Sequence, residues 1–158
     1  MDKWDLRYLK MARLVSTWSK DPSTQTGAVI VRQNKSVASV GFNGFPRTMP
    51  DSPELYNNRE EKYSRIVHCE MNALLFLSES VQNYTLYTWP FMSCDRCFVH
   101  MIQAGITRFV APEATPELLT RWGDAFDRVR MYASESGVEL IEVSRELLQE
   151  RVALASGE

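Results

Sequence analysis

Read from residue 68, the chain runs HCEMNALLFL (68–77), YTLYT (84–88), CDRCFVHMIQA (94–104), TRFVA (107–111), PELLTRWGDAFDRVRMYAS (116–134) and VELIEV (138–143). The first, third and fifth segments read as helices. The second, fourth and sixth are short, β-branched or aromatic runs that read as strands. Gly105 and Gly137 follow the third and fifth segments, where a left-handed residue ends a helix. Helix and strand alternate three times, which predicts parallel strands with helices on the faces of the sheet.

Upstream, Trp4, Tyr8, Met11, Val15 and Trp18 fall at helical spacing, so Asp2 to Lys20 reads as an amphipathic helix that Asp21-Pro22 ends. Gly27 to Arg32 and Ser36 to Phe42 flank a turn at Gln33-Asn34-Lys35 and read as a β-hairpin. Residues 43–63 are rich in Gly, Pro, Asn and charge and read as a long loop, a feature that usually serves function. Ser144 to Ala153 reads as a last helix with Ser144 as cap and Leu147 and Leu148 as its apolar side. The expected fold is α/β: a mixed five-stranded sheet in a three-layer α/β/α sandwich, with residues 1–158 as one domain.

Of the 158 residues, 44% are hydrophobic and 24% charged, and the formal net charge is −2. No apolar run approaches the ~20 residues of a membrane span. The first ten residues are too charged for a secretory signal, so the expected location is the cytoplasm. No Lys/Arg run marks a nucleic-acid face, which favours a small substrate over a polymer. Three cysteines, Cys69, Cys94 and Cys97, make a disulfide framework a poor reading and raise metal or redox chemistry.

The chemistry concentrates in His68-Cys69-Glu70 and Cys94-Asp95-Arg96-Cys97. One imidazole and two thiolates leave a tetrahedral zinc with an open position, which marks a catalytic site rather than a closed structural one. Water in such a position is acidified to a pKa of about 7. Cys94 and Cys97 lie in the first turn of one expected helix, where the helix dipole favours thiolates and Ser93 is placed to cap. Glu70 need not bind metal and can shuttle protons. A structural zinc module would need a fourth ligand. His100 could reach only from a distorted helix, and Cys69 is expected to point into the core. A redox Cys-x-x-Cys would leave His68 and Glu70 without a role.

A His-x-Glu followed by Cys-x-x-Cys is the signature of zinc deaminases. Here it is joined by Trp18-Ser19-Lys20-Asp21-Pro22-Ser23-Thr24-Gln25-Thr26-Gly27-Ala28, Gly41-Phe42-Asn43-Gly44-Phe45-Pro46, Lys62-Tyr63, His68-Cys69-Glu70-Met71-Asn72-Ala73 and Ile102-Gln103-Ala104-Gly105-Ile106. On these residues the chain resembles the deoxycytidylate deaminases of the cytidine-deaminase superfamily, in their bacterial and phage form. The resemblance implies hydrolysis of dCMP to dUMP and ammonia by zinc-activated water, with one Zn2+ per chain on His68, Cys94 and Cys97 and Glu70 as proton shuttle.

It further implies that Asn43 reaches the sugar and base and that Ser19 and Lys20 lie near the phosphate. Arg47 or Arg65 are alternative phosphate partners. Tyr63 either bonds the phosphate or packs, and Trp89 either stacks on the pyrimidine or belongs to the core. Regulation by dCTP and dTTP through Gly41, Phe42 and Gly44, and a homohexamer, are family properties carried over as expectations. Three departures stand out: Ser93 where the family usually has proline, Cys69 in place of alanine, and the approach Trp89-Pro90-Phe91-Met92. They leave open a 5-modified dCMP as substrate. The other readings are a deaminase acting on DNA or tRNA and, last, a non-catalytic zinc protein.

Overall fold

Two sets of apolar side chains point to opposite faces of one sheet, and each needs its own cover of helices. A computed structural model describes residues 1–153. Its elements are α1 (Lys3–Ser16), β1 (Gly27–Val31), β2 (Val37–Phe42), α2 (Pro53–Asn57), α3 (Arg59–Arg65), α4 (Cys69–Leu75), β3 (Thr85–Trp89), α5 (Asp95–Ala104), β4 (Arg108–Pro112), α6 (Pro116–Ser136), β5 (Glu139–Val143) and α7 (Arg145–Ala153). The strands form one sheet in the order β2-β1-β3-β4-β5. β1 pairs antiparallel with β2 and β3, and β3-β4-β5 are parallel. This is the mixed sandwich that the alternation predicts. No helix among the described residues is long and apolar enough to cross a membrane.

On one face, Ala28, Ile30, Leu86, Phe109 and Ala111 pack under Cys69 and Ala73 of α4, Phe98 and Met101 of α5, and Phe126 and Val129 of α6. On the other, Val29, Val31, Tyr87 and Val110 meet Leu6, Leu9 and Ala12 of α1 and Leu148 of α7. Successive residues of β1 thus serve opposite cores, as a pleat with a period of two requires. Two glycines set how close the helices come. A Cβ on Gly27 would strike Ala12 O and lie 2.6 Å from Ser16 N of α1. A Cβ on Gly41 would strike Cys69 O and Ala73 N and lie 2.9 Å from Ala73 Cα, so α4 rests directly on the β2 backbone.

Asp5, in the first turn of α1, is fully buried. It accepts hydrogen bonds from Arg108 Nη1 at 2.7 Å, Arg108 Nη2 at 2.9 Å, the Tyr87 hydroxyl at 2.8 Å and the Asp2 backbone N–H at 2.8 Å. Burial alone would raise its carboxyl. The bonds from Arg108, Asp2 and Tyr87, with the Arg108 charge, outweigh burial and bring it down to about 2.

Four expectations need correction. The first helix ends at Ser16 rather than Lys20. The Ser16 and Thr17 hydroxyls bond back to the carbonyls of Arg13 and Leu14, and Trp18 is left half exposed. The loop at 43–63 contains α2 and runs into α3, which ends at Arg65. Pro53 at the first turn and the Asn58 side chain, which accepts from Glu61 N–H, start these short helices. Ser93 does not cap α5: Cys94 is the cap, and the Ser93 hydroxyl is buried without a hydrogen-bond partner. In α7 Leu148 is buried, while Leu147 is exposed. Gly105 (φ 111°) and Gly137 (φ 71°) do end their helices in the left-handed region.

Candidate active site

Two helix starts face each other on the α4-α5-α6 side of the sheet. His68 is the N-cap of α4 and Cys94 the N-cap of α5, with Cys97 one turn on. His68 Nδ1 lies 3.5 Å from Cys94 Sγ and 3.4 Å from Cys97 Sγ. Zinc–sulfur and zinc–nitrogen bonds of about 2.3 and 2.0–2.1 Å in a tetrahedron place such atoms about 3.6 Å apart. All three donor atoms lie within 4.8 Å of one another. Donor type and spacing fit a zinc ion. His68 is exposed, Cys94 half-buried and Cys97 buried, so the cluster opens to one side. His100 is exposed and not among the cluster, and Cys69 packs into the core.

The sulfurs are electrostatically prepared. The Cys94 thiol is pulled down to about 4 by a hydrogen bond from the Cys97 thiol, then, against burial, by His68 and the Cys97 backbone N–H. The same sharing with Cys94, with burial and the nearby Glu70 charge, pushes the Cys97 thiol up. His68 is raised by its bond to Cys94, against burial, and by Glu70. Cys94 Sγ accepts the Cys97 N–H at 3.4 Å, the contact that makes it the helix cap. A thiolate at a helix N-terminus is the favourable case.

Glu70 is 5% exposed and opens into a cavity of about 260 Å³ shared with His68 and Cys94. None of the ion pairs among the described residues engages it. One wall is Asp21, Ser23, Thr24, Thr26 and Asn43; a second is Lys62 and Tyr63 of α3 with Ile66, its C-cap; the third is Phe91 with Arg121, Trp122, Ala125 and Phe126. The Phe91 ring sits 5.1 Å from Trp122 and 5.9 Å from Phe126.

Asp21 holds the first two walls together. Its carboxylate accepts from Ser23 N–H at 2.8 Å, Thr24 N–H at 3.2 Å, Asn43 Nδ2 at 3.2 Å and Lys62 Nζ at 2.8 Å. The Asp21 and Lys62 side chains are 3% and 13% exposed, so the pair is largely removed from water.

The expected substrate residues divide. Asn43 and Tyr63 line the cavity. Asn43 also accepts the Thr26 N–H at 2.8 Å and donates to Thr24 O at 2.9 Å and to Asp21, so both its amide hydrogens are engaged in shaping the 21–26 loop. Ser19 lies buried below, donating to Asn43 O at 2.9 Å and accepting the Asp21 N–H. Lys20 is turned outward to Asp51 at 2.6 Å, and Arg65 pairs with Glu61 one turn earlier in α3. Arg47 lies over the Phe76 ring. Trp89 packs with the α1-side core, between Arg13 and Arg145, rather than against the cavity.

Gly41 is buried under α4, and Gly44 exchanges backbone hydrogen bonds with Val67. Phe42 meets Trp18 edge to face at 6.1 Å. Sequence reasoning missed Asp21, Lys62, Phe91, Arg121 and Trp122 as cavity residues. A signal was available for two of them: Asp21 and Lys62 stand in the segments that carry the resemblance.

A family model described as the cytidine and deoxycytidylate deaminase zinc-binding region matches residues 2–113. An uncharacterized deaminase in the luxG 3′ region of Aliivibrio fischeri is 39% identical over 149 residues, covering 94% of this chain and 99% of that one. The deoxycytidylate deaminase of Mus musculus is 32% identical over 114 residues, covering 68% of this chain and 64% of the mouse protein. The crystal structure of the dCMP deaminase from the cyanophage S-TIM5 in apo form superposes with a TM-score of 0.68 at 25% identity, covering 90% of this chain and 100% of the phage chain.

Proposed function

Given that the chain belongs to the cytidine and deoxycytidylate deaminase family, we propose that it hydrolyses dCMP to dUMP and ammonia. The observation that carries this reading is Glu70, a buried carboxylate opening onto the same cavity as His68 and Cys94. His68, Cys94 and Cys97 would hold a zinc ion, which when bound supplies the Lewis acidity that makes water nucleophilic at neutral pH.

The rest falls to the chain's own groups. Glu70 takes a proton from the attacking water and passes it to N3 of the pyrimidine, then takes the second from the new 4-hydroxyl and passes it to the departing 4-amino group. Water and dCMP thus become dUMP and ammonia, with Glu70 returned to its starting state. Phe91, Trp122 and Phe126, tilted against one another, line the cavity with apolar ring surface on which a pyrimidine can pack. The choice of dCMP among cytosine nucleotides is supported by the mouse and phage relatives. Control by dCTP and dTTP at residues 41–44, and assembly into a homohexamer, belong to the same proposal. Phe42, 37% exposed, is the side chain through which an effector would be met.

The test is loss of cytosine absorbance in a panel of cytosine nucleotides, with and without dCTP and dTTP, using zinc-loaded protein of measured mass. Turnover should be fastest with dCMP. Glu70→Ala should keep its zinc and lose about 10²- to 10⁴-fold in kcat. An active Glu70→Ala refutes the proton role. A wild-type protein inert on every cytosine nucleotide refutes the function.

A further inference from the structure

The family match stops at residue 113, yet α6, which starts at Pro116, builds a wall of the cavity. We propose that Arg121 of this helix binds the 5′-phosphate of the nucleotide, a role that rests on the reading above.

The charge pattern of the cavity supports the assignment. Outside the metal-ligand cluster, four of the residues that line it carry formal charge: Asp21, Lys62, Glu70 and Arg121. Asp21 and Lys62 neutralise each other across 2.8 Å. Glu70 lies beside the metal-ligand cluster, at the reacting end. Arg121 is exposed, and none of the ion pairs among the described residues uses it. It is therefore the cation of this cavity whose charge no carboxylate offsets. A nucleoside monophosphate carries about −1.5 to −2 at pH 7 at one end and an uncharged base at the other. With the base at Glu70, the phosphate is drawn to Arg121, whose planar fork matches phosphate oxygens in pairs.

The backbone explains how Arg121 comes to face inward. Neighbouring residues of a regular helix project about 100° apart and do not share one face. Trp122 breaks the regularity, with φ −134° and ψ 16° inside α6. Arg121 and Trp122 consequently line the same cavity, and the guanidinium carbon lies 4.4 Å from the centre of the Trp122 ring. That contact, a cation over an aromatic face, holds the side chain ready before substrate arrives.

The experiment compares Arg121→Ala and Arg121→Lys with wild type on dCMP and on deoxycytidine, and measures dUMP and deoxyuridine binding by calorimetry. Arg121→Ala should lower kcat/KM for dCMP about 10- to 100-fold and leave deoxycytidine unchanged. dUMP affinity should fall while deoxyuridine affinity does not, and Arg121→Lys should recover part of both losses. Equal losses with and without the phosphate would overturn the assignment, as would no loss at all. A protein that deaminates nothing, yet loses dUMP affinity in Arg121→Ala, would refute the deaminase reading and uphold the phosphate contact.

Discussion

Replacing Gly41 by alanine should damage catalysis from inside the fold, without touching any group that meets substrate. The added methyl would lie 2.9 Å from Ala73 Cα and against Ala73 N and Cys69 O. Ordinary contact between carbon atoms is about 3.5–4.0 Å, so α4 must rise from β2 by up to about 1 Å. Overpacking of this kind costs about 1–3 kcal/mol. At about 2–4 °C per kcal/mol for a chain of this size, Tm falls by about 2–12 °C. α4 also carries Glu70, with His68 as its cap. A displacement near 1 Å in an active site lowers turnover by about 10²-fold.

Gly27→Ala is the control. Its methyl strikes Ala12 and Ser16 of α1, on the opposite face of the sheet, and should cost similar stability with little loss of kcat. Both variants are assayed on dCMP well below their Tm, with zinc content measured. A folded, zinc-loaded Gly41→Ala that turns over within twofold of wild type would refute the claim that the seat of α4 on β2 positions the catalytic groups.

Two further predictions follow from groups already described. Because Asp5 titrates at about 2 in the folded chain against 3.8 for an ordinary aspartate, it adds about 2 kcal/mol of stability that is complete above pH ~4 and lost as pH falls through about 2; denaturant unfolding of wild type and Asp5→Asn should show a stability gap that closes over that window, and a constant gap would refute the assignment. Because the donors lie on two helix starts, removing the metal with a chelator should lower Tm by roughly 8–16 °C, taking about 4 kcal/mol for a ligand at a thousand times its Kd; Cys94→Ala should not respond to chelator, and an equal response in both proteins would place the metal elsewhere.

The order of elements from residue 68 onward was legible because each segment has a period of its own and Gly105 and Gly137 punctuate it. The metal donors were legible for a related reason: Cys94 and Cys97 are local to one turn, and His68 stands one strand away. The cavity was not. Lys62 lies in a seven-residue helix too short to show a period, and its charge gains meaning only against Asp21, 41 residues earlier in the chain. Ser19 and Lys20 sit side by side in a diagnostic segment, yet one is drawn inward to the Asn43 carbonyl and the other outward to Asp51. Trp89 and Trp122 are equally aromatic on paper. Strand register sends the first to the α1 side, and a break in α6 turns the second into the cavity.

The reacting end of the cavity is made by His68, Glu70 and Cys94, while the loop at 21–26 with Asn43, residues 62–66, Phe91 and α6 make its sides. Chemistry and admission are therefore entrusted to separate stretches of chain. Grafting a different α6 onto this scaffold would alter which molecules gain entry while leaving the reacting centre intact, so new substrate ranges are within reach of changes confined to the walls.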